Sequence, residues 1–515
     1  MPNEPNITRG AQTSPIYRIR GTKSAFYPSP DVSPEDTAIL ENMNFTDTGT
    51  VDTRAGYAKW HSTRITSSKP HVLLRQQEFI GGTRQIEAAA TAVYANDGTT
   101  RKTITGSLSL TDNIENRYRV AYVDDKIFAT NGVDETWLWA GDFATPTAAV
   151  ALTGMQWTTC QDIITHKNFL VALNTIESGT KHPTRIRWCD VDPEVFTDIN
   201  TSVWPTKHVY DLYEDGPVIL CAEDNFGYML VFKADGVYPT ELQGDVGIVR
   251  LKIIENGIRR GFRPIARLGV VSHPEFTFVV CKDGCRVVRP DLSVEFVTRD
   301  FQNDWQTGLN LARTKYAVSW IREKDHQVRT LLSSSGSSTN NRILIWDYET
   351  GDVWVDKPAS SLNYASSFEA SSIEYDFLAT TDGYALQGDT GTDDDGTDIE
   401  WKVQMEPNDL GHPGKSKTII DLKTILKTQS AQTNFTVEAL RDQQDVLTRS
   451  ANVTVGSILK WNTGLKWNTG QTWPGGRTEE KSFFVNRTCE NIAPRWSGSA
   501  SVGLVGYQLI YDLEE

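Results

Sequence analysis

Cysteine, methionine and histidine are scarce in this chain: six, five and eight in 515 residues. The six thiols, Cys160, Cys189, Cys221, Cys281, Cys285 and Cys489, are sparse for this length. They fit a protein made in a reducing cytosol with its thiols buried. Only Cys281 and Cys285, which flank Lys-Asp-Gly, are spaced to face each other across a hairpin and so to serve metal or redox chemistry. No two of His61, His71, His166, His182, His208, His273, His326 and His412 lie at metal-ligand spacing, and HExxH is missing. The N-terminal MPNEPNITRG has no basic n-region and no apolar h-region, so no signal peptide is expected. No apolar run approaches the ~18 residues of a membrane helix, so no membrane span is expected. Lysine and arginine, 51 together, are outnumbered by 66 acids, for a net charge of −15. That balance argues against the basic stripe of a tight nucleic-acid binder. It does not argue against DNA passing close by, because an acidic wall repels phosphate without holding it. GxSxG, Walker A and the dinucleotide fingerprint are all missing. No catalytic or cofactor-binding residue is therefore assigned, and neither an enzyme nor a cofactor is expected.

What the chain has is tryptophan, 15 of them, and a β-strand texture with almost no helical periodicity. Residues 1–66 are polar and turn-rich and read as an extended N-terminal arm. Within it, Ser33 as N-cap, Pro34 at the first position and the acids Glu35 and Asp36 predict one short helix. From 67 to 395, short β-branched and aromatic runs alternate with tight turn signals. MLVFKADGVYPTEL (229–242), FVVCKDGCRVVRP (278–290) and DFLATTDGYALQGD (376–389) each read as strand, Asp-Gly turn, strand. RVAYVDDKIFATNGVDETWLWAGD (119–142) uses Asn-Gly, and RILIWDYETGDVWVD (342–356) uses Thr-Gly. Glycines 132, 236, 284, 351 and 383 mark successive units of about 50 residues, the size of one four-stranded propeller blade. The longest gap, 132 to 236, has room for two units. The expected fold is therefore all-β: a β-propeller over 67–395, preceded by the arm and followed by a C-terminal β-rich, sandwich-like domain over 396–515.

Four features are candidates for chemistry or contact. GDTGTDDDGTDIE (388–400) is the densest acidic stretch. Asp393, Asp395 and Asp398 are weak candidates for oxygen ligands to Ca²⁺, but Gly391 stands where an EF-hand needs an acid, and a solvated turn between two domains is the favoured reading. IRRGFRP (258–264) gathers Arg259, Arg260 and Arg263 as a possible phosphate or subunit contact. LKWNTGLKWNTGQTWPGG (459–476) sets Trp461, Trp467 and Trp473 six residues apart. Structural stacking or a subunit interface, sugar binding, and base stacking all remain open for that repeat. DYETGDVW (347–354) comes close to the Asp-box turn of sialidase propellers. Gly351 and Trp354 match, while Asp347 replaces the serine and Glu349 the aspartate.

Several stretches taken together resemble tail nozzle, or tail hub, proteins of short-tailed bacteriophages. GPVILCAEDNFGYMLVFKADGVYPTELQGD (216–245) is similar to a blade pattern of that family. HKNFLVALNTIESGTKHPTRIRWCDVDPEVF (166–196) is similar to another, departing from it at Cys189 and Phe196. NFTDTGTVDTRAGYAKW (44–60) resembles the family's N-terminal arm, and ILIWDYETGDVW (343–354) a further blade. LATTDGYALQGDTGTDDDGTDIEWKVQM (378–405) resembles the exit from the propeller. The resemblance covers most of residues 40–410, in the family's order. It implies a β-propeller protomer in a homohexameric ring that conducts double-stranded DNA during ejection without binding it tightly. It also implies docking beneath the portal–adaptor complex, a surface for fibre, spike or plug proteins, and a place in the virion tail after synthesis in the host bacterial cytoplasm. Two other readings stand beside this one: a glycan-binding or glycan-cleaving propeller that recognises the host surface, and a tail-tip or baseplate protein of a longer-tailed phage.

Overall fold

The computed structural model describes residues 11–22, 33–46, 50–65, 70–89, 91–123, 125–144, 147–152, 155–190, 204–213, 216–244, 249–427, 433–442, 445–453 and 478–513. The chain divides into two compact units. One comprises 57–351 with 360–389, the other 1–56 with 352–359 and 390–515.

The first unit is a β-propeller. Its inner strands are His71–Phe79, Arg119–Val123, Thr159–His166, Ile219–Asn225, Val270–His273, Val318–Arg322 and Leu362–Ala370. Each begins an antiparallel meander running outward, and six of the sheets stand by themselves as blades. Val318–Arg322, Gln327–Leu332 and Arg342–Asp347 add the antiparallel strands of one more turn of the ring. The starting residues, 71, 119, 159, 219, 270, 318 and 362, repeat at close to the expected interval. We number the blades I to VII in this order. The last is completed by chain from the other end of the unit: Ala58–Lys59 pairs antiparallel with Gln387 and Leu386.

The expected hairpins form where Asp-Gly and its relatives permit them. Tyr228–Lys233 turns onto Gly236–Gln243, and Phe276–Cys281 onto Gly284–Val288. Blade III explains the long gap between turn glycines. His166 pairs with Phe169 through a two-residue turn of Lys167 and Asn168, both at positive φ (48° and 66°). That is the geometry of a tight hairpin turn, made here without glycine.

Apolar residues of alternate faces pack between successive blades. Leu230, Phe232 and Val237 of blade IV meet Val270, Val279 and Cys281 of blade V, with Leu292 below. Each such side chain contributes about 1.5–3 kcal/mol on burial. Blade I is pinned by a buried polar cluster. Glu87 accepts from Asn96 Nδ2 at 3.0 Å, meets His71 Nε2 at 3.2 Å and pairs with Arg101 at 2.9 Å. Burial opposes the charge of Glu87, but these partners overcome it and bring its pKa down to about 2.

The second unit is built from both ends of the chain. In one sheet, Lys417–Lys427 lies between Thr478–Cys489 and Gly503–Leu513. The N-terminal segments join it: Gln12 pairs with Tyr511, Tyr17 with Tyr507, and Asp52 with Gly503. In a second sheet, Thr37–Glu41 pairs with Trp401–Met405, which pairs with Ile492–Gly498 and so leads to Thr433–Arg441. Buried faces of the two sheets meet where Trp496 packs on Tyr507 (centroids 5.7 Å) and donates from Nε1 to Thr424 Oγ1 at 2.8 Å. The residues expected to form a free arm thus supply strands to the same unit as the C-terminal region. The division falls at 56/57 and 389/390, in place of the expected 66/67 and 395/396.

The short helix expected after Ser33 does not form. Its capping hydrogen bonds do: Ser33 N–H donates to Asp36 Oδ2 at 2.8 Å, and Ser33 Oγ accepts from Glu35 N–H at 3.3 Å. They close a single turn, after which TAILE leaves as a strand because Trp401–Met405 offers it a pairing edge. Helix signals were outweighed by tertiary pairing.

Glu406, beside this turn, gives a pH prediction. Its N–H donates to Asp36 O at 3.1 Å. Burial first, and the neighbouring Asp36 second, raise its carboxyl from 4.5 to about 7. A carboxyl whose folded pKa is raised holds a proton that the unfolded chain gives up. Its contribution to stability is therefore full below the unfolded value and is lost as pH rises toward 7. Glu406→Gln is expected to add on the order of 2 kcal/mol at about pH 8 and nothing at about pH 4. Unfolding midpoints of both proteins across that range check this, and a pH-independent difference would count against it.

Candidate functional site in the propeller channel

The inner strands carry their channel-facing residues at alternate positions, and polar side chains stand there among apolar neighbours. They enclose a cavity of about 630 Å³ lined by Arg75, Arg119, Glu223 and Tyr364, with Glu323 just after Val318–Arg322 and Glu374 on the adjoining strand Ile373–Thr380.

Most of the charge at this end is engaged in joining blades. Arg119 Nε donates to Asp162 Oδ1 at 2.9 Å, and its Nη2 to Glu223 Oε1 at 2.7 Å and Ala222 O at 2.9 Å. Asp162, with no exposed side-chain surface, also accepts from Ala222 N–H at 2.7 Å. One guanidinium therefore ties blades II, III and IV. Arg267 donates to the carbonyls of Gln161 (2.5 Å) and Arg117. Arg117 donates through Nη2 to Asn363 Oδ1 at 2.8 Å and through Nη1 to Tyr316 O. The Tyr364 hydroxyl donates to Tyr118 O at 3.2 Å.

Burial raises the Glu223 carboxyl, with Arg119 pulling the other way. Burial also raises the Tyr364 phenol, against the pull of Arg75, Arg119, Arg267 and Arg117. Arg117 falls to about 10, chiefly through burial. Arg75 differs from the others. Its side chain is exposed to the space of the channel. It makes no hydrogen bond or ion pair among the described residues. In chemical terms, the channel lining sets two guanidinia, Arg75 and Arg119, among the carboxylates Glu223, Glu323 and Glu374 and the Tyr364 phenol.

Sequence reasoning found none of these four lining residues, because Arg75, Arg119, Glu223 and Tyr364 are scattered over four strands. The available signal was a polar residue inside an apolar strand, as in HVLLRQQEF and ILCAEDN.

The residues singled out from sequence lie elsewhere. Arg259 and Arg260 form a two-residue strand on Gly236 and Val237 of blade IV. Arg259 donates to Asn256 O at 2.8 Å. Arg260 lies over the rings of Tyr213 and Tyr238, 5.6 and 5.3 Å from their centroids. Arg263 is exposed, so the three do not converge as an anion clamp. Asp393 and Asp398 face each other in the hairpin Asp393–Asp394/Thr397–Asp398. Asp395 sits in its turn at φ 51°, and no group of three metal-ligating side chains occurs among the described residues. The working residue there is their neighbour Asp394, bound through both oxygens by Arg54 at 2.8 and 2.6 Å. Asp347 makes the expected turn: its Oδ1 accepts from Glu349 and Thr350 N–H at 2.9 Å, and Gly351 follows at φ 82°. Cys281 pairs with Gly284 and Cys285 with Val280, so the two thiols point to opposite faces of their hairpin. Both are buried and free, and burial raises Cys281 to about 12 and Cys285 well above its usual range. Trp461, Trp467 and Trp473 lie outside the described residues.

Among solved structures, the chain is similar to the C-terminal WD40 domain of Sif2. They are 9% identical, the match covers 74% of this chain and 99% of that domain, and the TM-score is 0.34. No protein-family model matches the chain, and no curated protein does. The propeller assignment rests on the order of the sheets.

Proposed function

We propose that this chain is a structural protein of a bacteriophage tail, forming a homo-oligomeric ring, expected to be a hexamer, that conducts DNA during ejection. The observation that carries this reading is a coincidence of pattern and element. Each stretch that resembles the tail nozzle family contains strands of the fold, in the same order along the chain. Residues 216–245 hold the first three strands of blade IV. Residues 166–190 hold the central hairpin of blade III. Residues 378–405 run from the end of Ile373–Thr380 to Trp401–Met405, with Gly383, Gly391 and Gly396 at positive φ in the turns between. A mechanical role also accords with charge. At −15 per chain, a ring repels passing phosphate, whereas lysine and arginine contacts would slow its transit. Portal–adaptor proteins on one side and fibre, spike or plug proteins on the other are the partners this role calls for.

Immunogold labelling of phage particles with antibody to this chain tests the proposal. Gold is expected at the distal end of a short tail. Gold at the tip of a long tail would make the chain a baseplate component. Unlabelled particles, with the protein free in the lysate, would overturn the reading.

A further inference from the structure

Blades VII and I close the ring, and one short segment lies across the seam between them. On the side of blade VII, Ala58–Lys59 pairs with Leu386 and Gln387. Trp60 N–H donates to Ala385 O at 2.8 Å, and Ile65 N–H to Gly383 O at 2.9 Å. The Trp60 ring packs on Phe368 and Phe377, with centroids 4.9 and 6.1 Å away. On the side of blade I, the polar contacts pass through the Glu87 cluster. Arg101 pairs with Glu87 at 2.9 Å and donates to Thr63 O and Arg64 O at 3.3 and 3.1 Å. His61 Nε2 meets Asn96 Nδ2.

The direction of these hydrogen bonds is fixed by their chemistry. The Glu87 carboxylate only accepts, so Asn96 turns its Nδ2 to it at 3.0 Å. Asn96 Oδ1 is taken by Gly98 N–H at 2.8 Å. The amide therefore offers His61 an N–H, and His61 Nε2 must accept it. A neutral imidazole with its proton on Nδ1 can do so, and an imidazolium cannot. A proton on Nε2 sets donor against donor and adds a positive charge close to Arg101.

We propose that residues 58–65 are an acid-released strap across the closing seam of the propeller, with His61 as its trigger. Burial lowers the His61 pKa, Glu87 opposes this, and Arg101 and His71 add to it. Glu87, brought down to about 2, stays ionised while His61 titrates. A histidine whose folded pKa is lowered stabilises the fold fully above its ordinary value of 6.5, and that stability is lost as pH falls below it. Release is confined to the outer seam, because other bonds join the inner strands. Gln76 Nε2 donates to Glu369 O at 2.7 Å, Glu369 N–H returns a bond to Gln76 Oε1 at 2.6 Å, and Asn363 Nδ2 donates to His71 O at 2.7 Å. The inference goes beyond the tail proposal and does not depend on where the chain sits in a particle.

The test is hydrogen exchange of the full-length protein, read by mass spectrometry at about pH 7.5 and about pH 5.5 and corrected for intrinsic rates. Peptides covering 57–65 are expected to exchange about tenfold faster at the lower pH, the factor that goes with one unit of pKa. Peptides covering 71–79 and 362–370 are expected to keep their rates. His61→Gln sets an acceptor that does not titrate opposite Asn96, and is expected to hold 57–65 at its slow rate at both pH values. Exchange of the imidazole C2–H of His61 gives its titration midpoint in the unaltered protein, expected below 6.5. Four results would each overturn the proposal: equal rates over 57–65 at both pH values, acceleration of all peptides alike, an unchanged acid response in His61→Gln, or a His61 midpoint at or above its ordinary value.

Discussion

Asp376→Ala is expected to destabilise the propeller by about 3–5 kcal/mol, the range found when one partner of a buried ion pair is removed. Asp376 is fully buried. Its Oδ1 accepts from Trp320 Nε1 at 2.8 Å, and its Oδ2 accepts from Arg329. Arg322, also fully buried, stands 3.4 Å from Oδ1. The single carboxylate thus holds the indole and the two guanidinia of blade VI from its seat in blade VII. Burial works against its charge, but Arg329 and Arg322 outweigh that and keep its pKa below the usual range. A depressed carboxylate stabilises the fold above its unfolded pKa, and the benefit is lost as pH falls through the folded value. In the alanine variant two buried cations lose their common counter-ion, although Arg322 keeps Asp325 and Asp389 at 2.6 Å each. Asp376→Asn separates the two effects, since its carbonyl can still accept from Trp320 while the charge is gone. It is expected to fall between wild type and alanine. Denaturant unfolding followed by tryptophan fluorescence gives the order. A midpoint for the alanine variant equal to wild type would mean that the arginines find other partners at little cost.

A chain beginning at residue 63 is expected to yield no soluble folded protein. A detachable arm would predict the opposite, a stable remainder. In the second unit, the missing segment includes Gln12–Thr13, Tyr17–Arg18 and Val51–Thr53 from one sheet and Thr37–Glu41 from the other. It includes Arg54, which neutralises the buried Asp394 and accounts for much of its hydrogen bonding. It also includes the Pro34 carbonyl that receives the Tyr507 hydroxyl at 2.7 Å. In the propeller it removes Ala58–Lys59, the outer strand of blade VII. Each loss exposes a sheet edge as well as an apolar face, and exposed edges invite aggregation. Size-exclusion chromatography and circular dichroism of the truncated chain decide the point. A monodisperse, cooperatively unfolding product would show that residues 1–62 are an appendage.

Much of the propeller is legible in the sequence because a blade is a local object. Its hairpins are closed by residues two to four apart, and Asp-Gly at 235–236 or 283–284 marks them openly. Blade III showed only as a gap with room for two units, because its first hairpin turns on Lys167 and Asn168, which adopt the same left-handed conformation without glycine. What could not be read was pairing across long distance. Nothing in TAILE says that its edge partner lies beyond residue 400, so the signal of Ser33 and its acids pointed to a helix. The channel was hidden for the same reason. Arg75 and Tyr364 are 289 positions apart in sequence, and only the closed ring sets them around one space.

The way the ends are used also bears on how the molecule is made. Gln12 pairs with Tyr511, and Ala58 with Gln387. As the ribosome delivers the chain from its N-terminus, the earliest segments emerge as strands whose partners do not yet exist. The propeller cannot close until residue 387 has been translated, and the other unit must wait for residue 511. Contacts of such long sequence separation make folding slow. During that interval the nascent chain carries unpaired strand edges, the surface that chaperones protect in large β-rich proteins.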